Sequence, residues 1–398
     1  MEKLECLLCH RLYPLNVFFP FCPECNEPLL FSYPQKRREI LLEREGLEKY
    51  LDFLPLDRVD RSLSLGEGNT PLIKLTRLSK KLSLSSLLAK NETLNPTHSF
   101  KDRGSAVAIQ KALSLGLEKI GTVSTGNMAA STAAYGAKAG LKTYVLLKED
   151  TSSEKLLSTA IFNPVLIKVK GDYGKLFSKS YSLSQKLNIY FMNSIDPLRI
   201  EGYKITGYEI FLQLERKSPR FIFVPVSSGG HLTGLMRAFI DLKKEGLIKN
   251  YPTFVGVQAR GCSPLAQAFE KKKLRFTRIS KADTLAHAIS NPDPPGGNIA
   301  LKMIREHGGM IVAVSDREIL EAQKMLAGEE GIFCQPASAT VLAGLLRIKK
   351  KFKFKTQDDI ILIITGSGLK AVDALDSSRI HVHHTSISNL ENVVKSTI

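Results

Sequence analysis

The stretch FIFVPVSSGGHLTGL, residues 221–235, holds the fold in miniature. An apolar run leads into a Ser/Gly turn, and the turn opens into a helical pattern. A run with no polar alternation reads as a strand buried on both faces. Two other strand ends behave alike: STGNMAAS (124–131) follows IGTVST (120–125), and TGSGLKA (365–371) follows IILIIT (360–365). Further strand-like runs are LLAKNE (87–92), KTYVLLK (142–148), VLIKVKG (165–171), TFVGVQA (253–259) and MIVAVS (310–315). Helical stretches such as AASTAAYGAKAG (129–140) and REILEAQKMLAGEEG (317–331) lie between them. This alternation predicts an α/β fold of open parallel sheets flanked by helices, either one large sheet or two with a cleft between them.

Such sheets bind ligands at the carboxyl ends of their strands. Helix N-termini there present free N–H groups and a partial positive charge. Three such turns predict an anionic ligand. Neither G-x-G-x-x-G nor G-x-x-x-x-G-K-S/T occurs, which argues against a nicotinamide or ATP site.

Composition narrows the classes. The chain has 398 residues, 43% hydrophobic and 24% charged, enough for two or three soluble domains. No apolar run approaches the roughly 20 residues that cross a bilayer. The first residues, MEKLECLLCH, lack a signal-peptide layout. A cytoplasmic protein with no membrane partner is expected. The net charge is +17, partly in KKKFKFK (349–355) and EKKKLRF (270–276). These clusters read first as a solvated surface, and second as attraction for nucleic acid or small phosphorylated metabolites. Aromatic residues are 8% and tryptophan is absent, which weighs against a base-stacking platform.

Four of the six cysteines form C-x2-C-x12-C-x2-C: Cys6, Cys9, Cys22 and Cys25. The spacing suits four thiolates on one structural zinc ion. Two disulfides, or iron, are the alternatives. A ribbon is expected over 1–34, followed by a helix over REILLEREGLEKYLDFL (38–54). Near the end, His381, His383 and His384 form a small group that suits alternation in a strand or loop better than a metal site.

The other chemistry-bearing stretch is NPTHSFKDRG, residues 95–104. Ser99 and Asp102 match the capping box S/T-x-x-D/E and predict a helix start. Lys101 then falls in the first turn, where the dipole disfavours a cation. Either it is an ordinary surface lysine, or it is placed to lose its proton. If buried as well, it becomes a neutral amine able to form a Schiff base.

A Schiff-base lysine with a Gly-rich phosphate cradle resembles pyridoxal 5'-phosphate enzymes of fold type II. Seven segments occur in the order found in threonine synthases: LGEGNTPL (65–72), NETLNPTHSFKDRG (91–104), VSTGNMAAS (123–131), NSIDPLRIEGYKI (193–205), VPVSSGGHLTGL (224–235), GIFCQPASATVLAGL (331–345) and ITGSGLK (364–370). The resemblance covers roughly residues 60–375, and many members also carry a zinc-ribbon-like N-terminus. It implies two open sheets and five segments. These are the ribbon at 1–34, a large cofactor domain from 35–100 and 196–385, a smaller domain at 101–195, and a tail at 386–398. A homodimer is expected.

Carried over, the resemblance implies that Lys101 holds the cofactor and shuttles protons, while Phe100 shapes the pocket. Asn127 would bond the phenolic oxygen. Ser228, Gly229, Gly230, His231, Leu232 and Thr233 would cradle the cofactor phosphate, and Thr365 would face the pyridine nitrogen. Ser124 and Thr125 would line the substrate carboxylate, and Asn193, Ser194 and Arg199 the substrate phosphate. The implied reaction takes O-phospho-L-homoserine and water to L-threonine and phosphate. Related dehydratases and β-replacement synthases are the alternative, with a nucleic-acid-binding protein more remote. Three features depart from the family's usual pattern: His98 where glycine is commoner, Gln335 where glutamate is usual, and the loop SSGGHLTG.

Overall fold

The computed structural model describes residues 3–34, 37–149, 151, 153–372, 383 and 385–397. Of the histidine group, His381 and His384 lie outside these residues.

The chain opens with three short strands, β1 (Lys3–Glu5), β2 (Leu12–Pro14) and β3 (Leu30–Ser32), in an antiparallel sheet ordered β2-β1-β3. The helix expected over 38–54 does not form as such. Only a 3-10 segment, Gly46–Phe53, is present. Two features account for the difference. Gly46 takes φ 55°, which a helix cannot continue through. Arg38 leaves the surface to pair with Asp241 and Glu245 at 2.9 and 3.0 Å.

The remaining strands are β4 (Leu72–Lys74), β5 (Ser86–Asn91), β6 (Lys119–Val123), β7 (Lys142–Lys148), β8 (Val165–Val169), β9 (Tyr190–Phe191), β10 (Phe221–Pro225), β11 (Thr253–Ala259), β12 (Met310–Val314) and β13 (Asp359–Ile364). All eight expected runs form strands, in two sheets. One sheet is ordered β12-β11-β10-β13-β5-β4 and the other β8-β7-β6-β9. Pairing is parallel throughout except for β4 against β5. Every residue of β10 is buried, as are the last five of β13. That explains their unbroken apolar sequence.

Two helices meet where the sheets adjoin. Lys101–Ser114 is buried from Asp102 to Ala112, and Pro197–Gln213 from Pro197 to Phe211. They approach closely at glycines. A Cβ at Gly104 would lie 2.7 Å from the Tyr203 ring, and one at Gly202 would lie 2.2 Å from the Arg103 carbonyl oxygen. Larger residues would push Lys101 off its seat.

Candidate active site

A cavity of about 1430 Å³ opens at the carboxyl ends of the strands, reached by Val123 at the end of β6, Pro225 and Val226 at β10, and Thr365 after β13. Lys101, the first residue of its helix, is in its wall.

The start of that helix differs from the expected capping box. Phe100 is the capping residue and its side chain accepts no bond. The Ser99 hydroxyl is buried and has no partner among the described residues. Asp102 turns back instead, accepting from the Thr97 N–H and hydroxyl, both at 2.6 Å. The short loop thus uses the carboxylate that a free helix end would have used. His98 takes φ 59°, which explains why glycine suits this position. The Phe100 N–H donates to the Thr365 carbonyl at 3.1 Å, and the Ser367 N–H donates to the His98 carbonyl at 3.1 Å. The turn after β13 therefore fixes the start of the Lys101 helix.

Burial, and then the nearby Arg199 guanidinium, push the Lys101 pKa down to about 7. No described carboxylate pairs with it. Its Nζ lies 4.4 Å from the centre of the Phe100 ring and 5.7 Å from that of Tyr203. The amine is thus available in its neutral form near pH 7, which answers the question the sequence posed.

The turn at 227–229 opens into a helix, as its pattern suggested. The helix Gly230–Lys244 begins after Gly229, at φ 94°, with no side-chain cap. A Cβ at Gly229 would stand 2.6 Å from the Gly296 carbonyl oxygen. Gly230, His231 and Leu232, the first residues of the helix, line the cavity with Ser228 and Gly229. Thr233 is buried just behind, its N–H donating to the Gly229 carbonyl at 3.0 Å. His231 stacks on Phe100 at 3.8 Å, and neither ring nitrogen has a partner among the described residues. Burial, then Lys101, hold its pKa well below the usual histidine range.

Ser124, Thr125, Asn127, Ser194 and Thr365 also line the cavity. Asn127 donates to Gln335 at 2.9 Å, so the amide that replaces the family's usual glutamate orients Asn127. The Thr365 and Ser338 hydroxyls share a 2.8 Å bond, and no carboxylate stands beside them. Asn193 and Arg199 are not in the wall. Asn193 Oδ1 accepts from the Val123 N–H at 2.9 Å, and its Nδ2 donates to Ser180 at 3.1 Å. Arg199, fully buried, donates to Tyr203, Thr132 and the Lys101 carbonyl at 3.3, 3.5 and 3.2 Å. All these partners are neutral, so its charge acts on Lys101 through space.

Sequence reading passed over three groups. Lys370, at the end of ITGSGLK, lines the cavity and is held by a bond to the Thr97 carbonyl at 2.8 Å. Burial lowers its pKa to about 8. Arg103 forks onto Glu92 at 2.6 and 2.8 Å and onto Glu209 at 2.7 and 2.7 Å, while Lys90 donates to Glu209 at 2.6 Å. This buried cluster explains the ionic residues around the lysine. Finally, Phe19, Phe21, Cys25, Asn26 and Glu27 of the ribbon are in the cavity wall.

The sulfur atoms of Cys6, Cys9, Cys22 and Cys25 all lie within 4.8 Å of one another, with Cys9 and Cys22 at 3.7 Å. All four are free thiols, so the disulfide alternative is not realised. Four thiolates in a tetrahedron at zinc–sulfur distances of roughly 2.3 Å lie about 3.8 Å apart, so the donor set fits such an ion.

A partly buried lysine with a lowered pKa, in the same cavity wall as a helix start with no side-chain cap, suits an aldehyde cofactor that carries a phosphate. The pattern of the family described as pyridoxal-phosphate dependent enzymes matches residues 63–366, and the chain belongs to that family. Within it, the chain is similar to the threonine synthase of Methanocaldococcus jannaschii, 37% identical over 93% of both chains. The threonine synthase of Methanosarcina acetivorans is 35% identical over 93% of this chain and 92% of its own. That of a Bacillus species is 34% identical over 86% and 94%. Among solved structures, a threonine deaminase superposes with a TM-score of 0.63 at 24% identity, over 75% of this chain and 92% of that one. A maize serine racemase gives 0.63 at 18%, over 83% and 92%. These two establish the shared fold.

Proposed function

We propose that the chain is a threonine synthase, converting O-phospho-L-homoserine and water to L-threonine and phosphate. The observation that carries the reading is Lys101, whose amine has a pKa of about 7 in the wall of a cavity that an uncapped helix end also faces. The similarity to threonine synthases over nearly the whole chain supports the choice of substrate.

When bound, pyridoxal 5'-phosphate supplies an electron sink for bond changes at Cα, Cβ and Cγ of an amino acid. The chain supplies the rest. The N–H groups of Gly230, His231 and Leu232 suit the cofactor phosphate, and the glycine at 229 allows close approach. Lys101 Nζ, near its own pKa at neutral pH, can take up and return a proton at the substrate carbons. Asn127, held by Gln335, offers a fixed amide. Thr365 and Ser338 offer neutral hydroxyls, which leave the electron sink weaker than a carboxylate would. Arg199 and Lys370 make the cavity electropositive and so favour a phosphorylated substrate.

The same reading assigns zinc to the four cysteines, a cytoplasmic location and a homodimer. Four free thiols suit a reducing compartment. Among the described residues no helix is long and apolar enough to cross a membrane.

The test uses purified holoenzyme. Phosphate should be released from O-phosphohomoserine and not from O-phosphoserine. Lys101→Ala should lose both turnover and the visible band of covalently bound cofactor. Turnover retained in that variant would overturn the reading.

A further inference from the structure

The ribbon reaches into the cavity through one turn. The Cys22 N–H donates to the Glu27 carbonyl at 2.8 Å, and the Asn26 N–H donates to the Cys22 carbonyl at 2.9 Å. Phe21 bridges to Pro28 across the same turn. The Cys25 N–H points at Cys22 Sγ, 3.4 Å away. Phe21 and Glu27 therefore leave a single turn whose shape two of the four thiols anchor.

These two side chains go to opposite sides of the cavity. Phe21 meets the Tyr181 ring edge-on at 5.0 Å. Tyr181 belongs to the helix Tyr173–Leu187, which covers the four-stranded sheet. Glu27 is 5% exposed and accepts from Asn298 Nδ2 at 2.7 Å. Asn298 belongs to the helix Gly297–Glu306, on the six-stranded sheet. Just before that helix, the Gly296 N–H donates to the Ser228 carbonyl at 2.9 Å. The Gly296 carbonyl oxygen is the atom that leaves no room for a side chain at Gly229. A short path thus runs from the cysteine turn through Glu27, Asn298 and Gly296 to the phosphate cradle.

We propose that the cysteine turn is a clamp: Phe21 and Glu27 join the two sheets across the cavity and position the cradle, so that a metal on the four thiols strengthens binding of phosphate-bearing ligands. The inference rests on the cavity being a pyridoxal-phosphate site and does not depend on which amino acid is turned over. Leu4, Leu29, Leu30 and Phe31 anchor the base of the ribbon in the core, while the turn from Cys22 to Glu27 draws its order from the metal, because metal binding and the folding of such a site are coupled. Loss of the metal should free the turn, and with it both contacts.

The experiment compares Glu27→Ala, Glu27→Gln and Phe21→Ala with wild type as holoenzymes. Affinities for pyridoxal phosphate and for inorganic phosphate are read from the cofactor's visible absorbance, with zinc content and melting temperature alongside. Glu27→Ala should weaken both affinities about five-fold, as expected for one hydrogen bond of roughly 1 kcal/mol. Glu27→Gln should restore them, because the acceptor oxygen is kept. Phe21→Ala should weaken inorganic phosphate binding. Stripping zinc from wild type should weaken both affinities, and added Zn²⁺ should bring them back. Wild-type affinities in Glu27→Ala, a Gln variant that behaves like Ala, or complete zinc release with no change would each overturn the proposal. A wild-type protein that binds the cofactor but ignores O-phosphohomoserine would overturn the substrate assignment alone, and the affinities would still decide this one.

Discussion

At the scale of one residue Lys101 stands out because the helix dipole disfavours a cation in the first turn, but spacing alone leaves an ordinary surface lysine open and only the family resemblance points to the cofactor. Its pKa of about 7 carries a signed prediction. The neutral amine is the nucleophile, and its fraction rises as pH climbs through the pKa. Covalent attachment of added cofactor to apoprotein should therefore speed up about ten-fold from pH 6 to 8 and then level off. A rate still rising towards pH 10 would mean an ordinary lysine. Gly229→Ala would place a Cβ at φ 94° against the Gly296 oxygen. It should weaken cofactor binding about ten-fold or more, as a cavity-wall strain of roughly 1–2 kcal/mol requires. Equilibrium titration of apoprotein checks this. Other roles were not legible at this scale. Sequence named Asn193 and Arg199 but gave no sign of which way they face, and both turn inward behind the wall. Ser99 looked like a cap because local spacing does not reveal that Thr97 competes for Asp102.

Among the elements, the helix Lys101–Ser114 is buried from Asp102 to Ala112, so Arg103 must find its counter-charges inside the protein. Arg103, 1% exposed, neutralises Glu92 and Glu209, while Lys90 completes the balance on Glu209. Removing one acid leaves a buried guanidinium partly unpaired. Glu92→Ala should therefore destabilise the protein by about 3–5 kcal/mol, as breaking buried pairs does. Urea unfolding of the apoprotein measures it, and a loss below 1 kcal/mol would contradict the account. The elements themselves were largely readable. Eight apolar runs became β5 to β8 and β10 to β13; most are buried on both faces, which leaves little room for polar residues, whereas the edge strand β8 has no buried residue. The stretch 38–54 misled because its apolar spacing suited a helix, while Gly46 and the distant acids that hold Arg38 decided otherwise.

For the whole molecule, the order of strands within each sheet was out of reach of sequence. Parallel neighbours such as β10 and β13 lie far apart along the chain, and no local pattern pairs them. The seating of the ribbon on the cavity was hidden for the same reason. Net charge, by contrast, was plain from composition. A +17 surface should steer a phosphate dianion, so kcat/KM should fall several-fold as salt rises from roughly 0.05 to 0.3 M, where the screening length shortens. A flat profile would argue against steering. The buried guanidinium of Arg199 gives this field a second use. It holds down the proton affinity of Lys101, yet any dianion arriving in the cavity cancels part of its effect. Inorganic phosphate added to the apoprotein should therefore move the pH at which cofactor attachment levels off upward, and an unmoved profile would mean that Arg199 and the cavity are not coupled.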